Sequence, residues 1–449
     1  MGTSTSLAPG GFKKTINEVG IRSVLGIRYA QLSNGERFAA PVAANGQLVV
    51  GRLAEVPVFP QLPSRLAAAM GTGNENPQTD DAFFLNVWAP ENAVGLPVMV
   101  FVHGGAWMSG GGSNEWYDGS LLAAEGMVVV TVNYRIGPVA HLAPPGTPDR
   151  PLQDLALALE WVQENIGAFG GNPDEVTLAG QSAGAWYVHL LSLDPAARGL
   201  MRRVALLSMA TREPWTRERL NSVRDEAARR LHPRTLENAE TQDLLKAGVD
   251  ALQETAEPRP LGHAASGYLP SQAENIPDNF LQARWCAQNV HVEEVLFSFT
   301  AQETGMFFFG SPEERTVTHE EVDGWISMLD EGELSPGTET LDRSKDPYER
   351  LVDISSWIQF QRFPTELTTA YTEQGLKTEL VRLNLRSSQP GVLSGHCFDL
   401  PFWFGNFGAW ADAPMLRGID PEQFATESLQ LRRGLARFVL GRQGCPLRG

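Results

Sequence analysis

The chain has 449 residues, 42% of them hydrophobic, and carries a formal net charge of −17. That is enough apolar material for a large core, and an acidity with no basic stripe argues against nucleic acid or an anionic membrane as partner. Its three cysteines, Cys286, Cys397 and Cys445, are odd in number and far apart, which excludes a disulfide framework and fits a reducing compartment.

The first ten residues carry neither the basic nor the apolar segment of a secretory signal, and no apolar run is long enough to span a bilayer. A cytoplasmic location is therefore expected. Two runs, Pro97–Val102 and Met127–Val132, are apolar without period-two alternation, as strands covered on both faces of a mostly parallel sheet are. Leu155, Leu159, Val162 and Ile166 mark one face of a helix predicted to begin near Gln153 and Asp154, with Asp154 placed to favour the dipole. Gly170-Gly171-Asn172-Pro173 ends that helix.

Glu175–Ala179 predicts a short strand and Ala183–Leu193 a helix, with Gly180-Gln181-Ser182-Ala183-Gly184 between them. A G-x-S-x-G reversal from strand to helix needs glycines where a Cβ would clash, and it exposes the serine hydroxyl at a helix N-terminus. Further strands are predicted at 203–207, 295–299 and 380–385. Two mostly helical blocks, about 212–290 and 312–374, interrupt the strand–helix alternation and are expected to build a lid or pocket wall. The catalytic motifs run from residue 103 to residue 396, so one domain, 1–449, is expected.

A serine nucleophile needs a base and the base an orienting acid. His396, after Ser394-Gly395 and before an aromatic cluster, lies where a late loop presents a base; Glu303 lies just past the 295–299 strand. The order Ser182, Glu303, His396 is that of α/β-hydrolases. Asp399 is the rival acid. His189 sits two turns along the helix from Ser182, out of reach. His141, His232, His263, His291 and His319 read as surface residues. After the 97–102 strand, His103-Gly104-Gly105-Ala106-Trp107 offers unshielded amides, so Gly105 and Ala106, with Ala183, are candidates for an oxyanion hole. Trp107, Trp186, Trp403 and Phe404 are candidates to line an apolar substrate pocket. Ser109-Gly110-Gly111-Gly112 matches no nucleotide fingerprint, and no metal motif is present, so neither cofactor nor metal is expected. Cys397, beside His396, lacks the elbow and separate base that thiol chemistry needs.

With these residues in place, the chain resembles the type B carboxylesterase family, which includes cholinesterases and bacterial para-nitrobenzyl esterases. The resemblance is carried by Leu25–Ala30, Arg37-Phe38, Thr79–Trp88, His103–Trp107, Asn133–Gly137, Phe169–Pro173, Gly180–Gly184 and His396–Gly405, all in family order. It implies an α/β-hydrolase fold: a central, mostly parallel sheet flanked by helices, with a gorge-like pocket under helical insertions. It also implies Ser182 as nucleophile, Glu303 as acid and His396 as base, with Gly105, Ala106 and Ala183 as oxyanion hole. Ala82 replaces the family's signature cysteine, and Gln181 stands where the family usually has Glu. The expected activity is hydrolysis of a small-molecule carboxylic ester through an acyl-enzyme. Amide, carbamate or lactone hydrolysis is the alternative, and a non-catalytic binding module a distant third. A neutral histidine base predicts a rate that falls as pH drops through roughly 6–7. Oligomeric state is not legible.

Overall fold

A computed structural model of the chain describes residues 15–16, 20–48, 50–73, 75–265, 267–330, 334 and 342–442. Cys445 and the amino-terminal stretch lie outside the described residues. Ten strands among these residues form one sheet: β1 (Thr15–Ile16), β2 (Ile21–Leu32), β3 (Pro41–Gln47), β4 (Phe84–Pro90), β5 (Leu96–Val102), β6 (Val128–Val132), β7 (Gly171–Gln181), β8 (Arg203–Leu207), β9 (Glu294–Thr300) and β10 (Lys377–Leu383). Nine lie along the order β1-β2-β4-β6-β5-β7-β8-β9-β10, and β3 pairs with β2. Pairing is antiparallel as far as β4–β6 and parallel from β6–β5 to β9–β10.

The uninterrupted apolar runs have the expected cause. On β5, Val98, Val100 and Val102 join one core and Met99 and Phe101 the other, so both faces of the strand are covered. Chain order reverses around β5. Its successor β6 lies on one side and β7 on the other, which opens a crevice at the carboxyl ends of β5 and β7. The α/β-hydrolase architecture expected from the sequence is present.

Helix α1 (Arg150–Asn165) starts three residues before the predicted point. Asp149 caps it by accepting the Leu152 N–H at 2.9 Å, and Pro151 sits in the first turn, where no amide proton is missed. Asp154 serves no dipole. It is fully buried and grips Arg135, with an Nη2–Oδ1 distance of 2.5 Å. Helix α2 (Ala183–Leu193) is buried along its whole length. In the first helical block, α3 (Arg217–Leu231) packs on α4 (Thr241–Glu254), but the described residues from 256 to 282 hold no helix. The second block contains α5 (Pro347–Ser356), a π-helical turn at Trp357–Gln361, and α6 (Arg362–Glu373). Two helices close the chain, α7 (Leu400–Phe404) and α8 (Pro421–Val439), packed together against one face of the sheet.

Strand β10 also begins three residues early. It is an edge strand in register with β9, Lys377 opposite Glu294, and its polar first residues, Lys377, Thr378 and Glu379, hid its start from an apolar-run criterion. Among the described residues no helix is long and apolar enough to cross a membrane.

Candidate active site

At the end of β7 the chain reverses into α2 with Ser182 at φ 56°, ψ −121°, a conformation that costs a non-glycine residue about 1–3 kcal/mol. Packing enforces it. A Cβ on Gly184 would stand 2.2 Å from the Val102 carbonyl oxygen, so only glycine lets the start of α2 rest on the end of β5. The Ser182 N–H donates to the Leu207 carbonyl at 2.9 Å, which ties the reversal to β8.

The loop after β9 brings in Glu303. Its Oε1 accepts the Thr300 N–H at 2.7 Å, and its Oε2 lies 2.5 Å from His396 Nδ1. The other ring nitrogen, Nε2, lies 2.8 Å from Ser182 Oγ. The three side chains, 93 and 214 residues from the histidine in sequence, form one hydrogen-bonded chain that is almost wholly buried: Ser182 is 7% exposed, His396 1% and Glu303 0%. The loop before His396 is pinned. Ser394 Oγ donates to the Leu383 carbonyl at 3.0 Å, Gln302 N–H donates to the Ser394 carbonyl at 2.9 Å, and the His396 N–H donates to the Glu303 carbonyl at 2.9 Å.

Burial pulls the His396 pKa down, while the neighbouring Cys397 and Glu303 push it up; the net places it well above the ordinary histidine value of 6.5. Among the described residues Asp399, the rival acid, forms no hydrogen bond or ion pair with the imidazole. Its Oδ2 accepts the Trp403 indole N–H at 2.8 Å, and burial together with the charge of Glu303 raises its pKa to about 6.

The loop after β5 lies against this chain. Gly105 has φ +121°, and a Cβ there would fall 1.8 Å from the Ser109 carbonyl oxygen; Ala106 and Trp107 follow at φ 54° and 58°. Among the described residues no acceptor is found for the amide N–H of Gly105, Ala106 or Ala183. His103, at the start of the loop, stacks on Tyr134 with ring centroids 4.5 Å apart. Burial takes its pKa down to about 4, so it stays neutral, and the Tyr134 hydroxyl fixes the turn by donating to its carbonyl at 2.7 Å.

The four aromatic pocket candidates separate. Trp107 and Trp186 meet edge to face at 5.8 Å in the core on one side of the sheet, and the Trp186 indole donates to the Arg212 carbonyl at 2.9 Å. Trp403 and Phe404 belong to the core on the other side, where Phe404 packs on Phe101 at 4.9 Å. They are 1% exposed and sit in a different core from the first pair, because α7 turns beneath the sheet straight after the histidine loop. Phe307 and Phe360, which sequence reasoning missed, flank the imidazole instead, with centroids 5.3 and 4.9 Å away. The π-helical turn that carries Phe360 also carries Gln361, whose amide donates to the Thr300 and Ala301 carbonyls beside Glu303. A π turn leaves no periodic signature in the sequence.

Two further histidines are buried away from the serine. His141, expected at the surface, is buried and stacked on Tyr268 at 5.9 Å. His189 donates to or accepts from nothing near Ser182; its Nε2 lies 2.8 Å from the Phe280 carbonyl. Among the described residues no three His, Cys, Asp or Glu side chains converge as a metal site requires. What the arrangement can do is move a proton: a hydroxyl, an imidazole whose far nitrogen is committed to a carboxylate, and free amides beside it.

The carboxylesterase family profile matches residues 9–356. A protein of Rhodococcus erythropolis named "Probable N-octanoylanthranilate hydrolase AqdA2" is 31% identical over 433 residues, covering 92% of this chain and 88% of its own. The para-nitrobenzyl esterase of Bacillus subtilis (strain 168) is 43% identical over 209 residues, 44% of this chain and 42% of that one. The phenmedipham hydrolase of Pseudarthrobacter oxydans is 27% identical over 382 residues, 82% and 76% of the two chains. Among solved structures, a PNB esterase superposes with a TM-score of 0.77 at 26% identity, covering 95% of this chain and 88% of that one.

Proposed function

The chain belongs to the carboxylesterase family and is a carboxylic ester hydrolase, and from that premise we propose that Ser182, His396 and Glu303 are its catalytic residues. In this reading His396 Nε2 takes the Ser182 proton as the hydroxyl attacks the ester carbonyl carbon. Glu303 holds the imidazole by Nδ1 and stabilises the imidazolium. The carbonyl oxygen, as it becomes an anion, is received by the free amides of Gly105, Ala106 and Ala183. The tetrahedral intermediate collapses, His396 returns its proton to the departing alkoxide, and an acyl-Ser182 ester remains. Water then enters in place of the alcohol and attacks the acyl carbon as His396 takes its proton; the second intermediate collapses, the bond to Ser182 Oγ breaks, His396 returns the proton to that oxygen, and the acid leaves. The observation that carries the reading is the unbroken contact from Glu303 to His396 to Ser182 at 2.5 and 2.8 Å, among side chains that are almost wholly buried.

The substrate is a small-molecule ester, and Phe307 and Phe360 against the imidazole favour an apolar acyl or aryl part. A second reading has a specific support: the relative named for N-octanoylanthranilate carries an N-acyl group in its substrate's name. The same residues would cleave an amide if His396 delivered its proton to nitrogen. Hydrolysis of para-nitrophenyl octanoate and of octanoyl anilide by one purified preparation separates the two. Ester turnover with the anilide inert supports the esterase, and comparable rates favour the acylamide reading.

A further inference from the structure

Gln181 precedes Ser182, is 1% exposed, and touches three parts of the site. Its Nε2 donates to Cys397 Sγ at 3.3 Å and lies 3.3 Å from His396 Nε2. Its Oε1 lies over the Gly104 Cα, where a methyl group would come within 2.4 Å. Cys397 is turned toward it by a left-handed backbone, φ 67°. The carboxamide is therefore held at both ends, its oxygen side by the glycine loop and its N–H side by the sulfur.

We propose that Gln181 is a positioning residue which, oriented by Cys397, presents an amide N–H to His396 Nε2 and so keeps that nitrogen an acceptor for the Ser182 hydroxyl. The inference rests on the roles proposed above for Ser182 and His396. An N–H beside an imidazole nitrogen is favourable only while that nitrogen carries a lone pair; a protonated Nε2 would face it donor to donor. The other groups facing the ring act otherwise. Glu303 at Nδ1 favours the imidazolium, and Cys397 next in the chain favours it too. Asp399 is a buried carboxyl three residues on, and Phe307 and Phe360 cover the faces. Gln181 thus opposes the pull of Glu303 at the nitrogen that must start each cycle unprotonated.

The test is the pH dependence of kcat/KM on a para-nitrophenyl ester, normalised to sites labelled by a fluorophosphonate, for wild type, Gln181→Glu, Gln181→Leu and Cys397→Ala. A carboxylate in place of the N–H should move the acid limb of Gln181→Glu upward by about one pH unit or more. Gln181→Leu should move it in the same direction by less, and Cys397→Ala should shift the limb by a different amount in the Gln181→Leu background than in wild type, because part of the sulfur's effect runs through the amide. An acid limb in Gln181→Glu that coincides with wild type overturns the proposal. If that variant does not fold, additive shifts of Gln181→Leu and Cys397→Ala overturn it and coupled shifts support it. A wild type that is not labelled at Ser182, or has no acid limb, removes the underlying assignment instead.

Discussion

Two buried pairs in this molecule have the same closest approach and opposite fates. Arg135 and Asp154 meet at 2.5 Å, as do His396 and Glu303, and all four side chains are at most 2% exposed. The first pair is saturated. The Asp154 carboxylate accepts from Arg135 Nε, Nη2 and the Arg135 backbone N–H, and Arg135 Nη1 donates to the Ala39 carbonyl. A guanidinium holds its proton at any accessible pH, so this cluster can only bind the Asn133–Gly137 turn to α1. In the second pair the cation is titratable and its far nitrogen meets a hydroxyl rather than another fixed charge. Burial and a short contact are common to both; what marks the site is a proton with somewhere to go.

That contrast breaks if removing the hydroxyl leaves turnover intact. Ser182→Ala is expected to lower para-nitrophenyl ester turnover by a factor on the order of 10⁶, with a urea midpoint close to wild type. Glu303→Gln keeps the shape but no longer holds the imidazole with a charge, and kcat should fall by about 10⁴. The saturated pair should behave in the opposite way. Asp154→Ala leaves the Arg135 charge buried and unpaired, which should cost about 3–5 kcal/mol in chemical denaturation, while turnover per fluorophosphonate-labelled site stays near wild type. A large loss of turnover per site in that variant would erase the distinction.

The smallest effect sharpens the contrast through pH. Because His396 is raised above 6.5 in the folded protein, its neutral, proton-accepting fraction is lost as pH falls through a value above 6.5. A kcat/KM profile should show its acid limb there, and a rate flat to pH 4 would contradict the assignment.

How much of this was readable in the chain follows the range of the interactions. Strands β5, β6 and β8 and helix α2 are written locally, in continuous apolar runs and in glycines that permit a reversal, and their positions emerge almost unaltered. Ser182 and Glu303 are legible for the same reason, each lying just past a recognisable strand, and His396 through its place late in the chain order, ahead of an aromatic cluster. What misled was partnership across distance. Asp154 looked like a dipole charge because Arg135 lies nineteen residues away in another element. His141 looked exposed because Tyr268, which covers it, is far along the chain. Trp403 and Phe404 follow the histidine in sequence, yet nothing local says that α7 passes to the other face of the sheet. Phe360 and Gln361 depend on a π turn inside a helical block, where periodicity gives no warning.

The central claim is that Ser182 is the atom's-width point where this buried chain meets substrate. Treating the native protein with one equivalent of a fluorophosphonate and mapping the adduct by peptide mass spectrometry tests it most directly. A single stoichiometric adduct on the peptide containing Ser182, appearing in step with loss of esterase activity, is the predicted result. An adduct on another residue, or full activity after Ser182 is labelled, would contradict it.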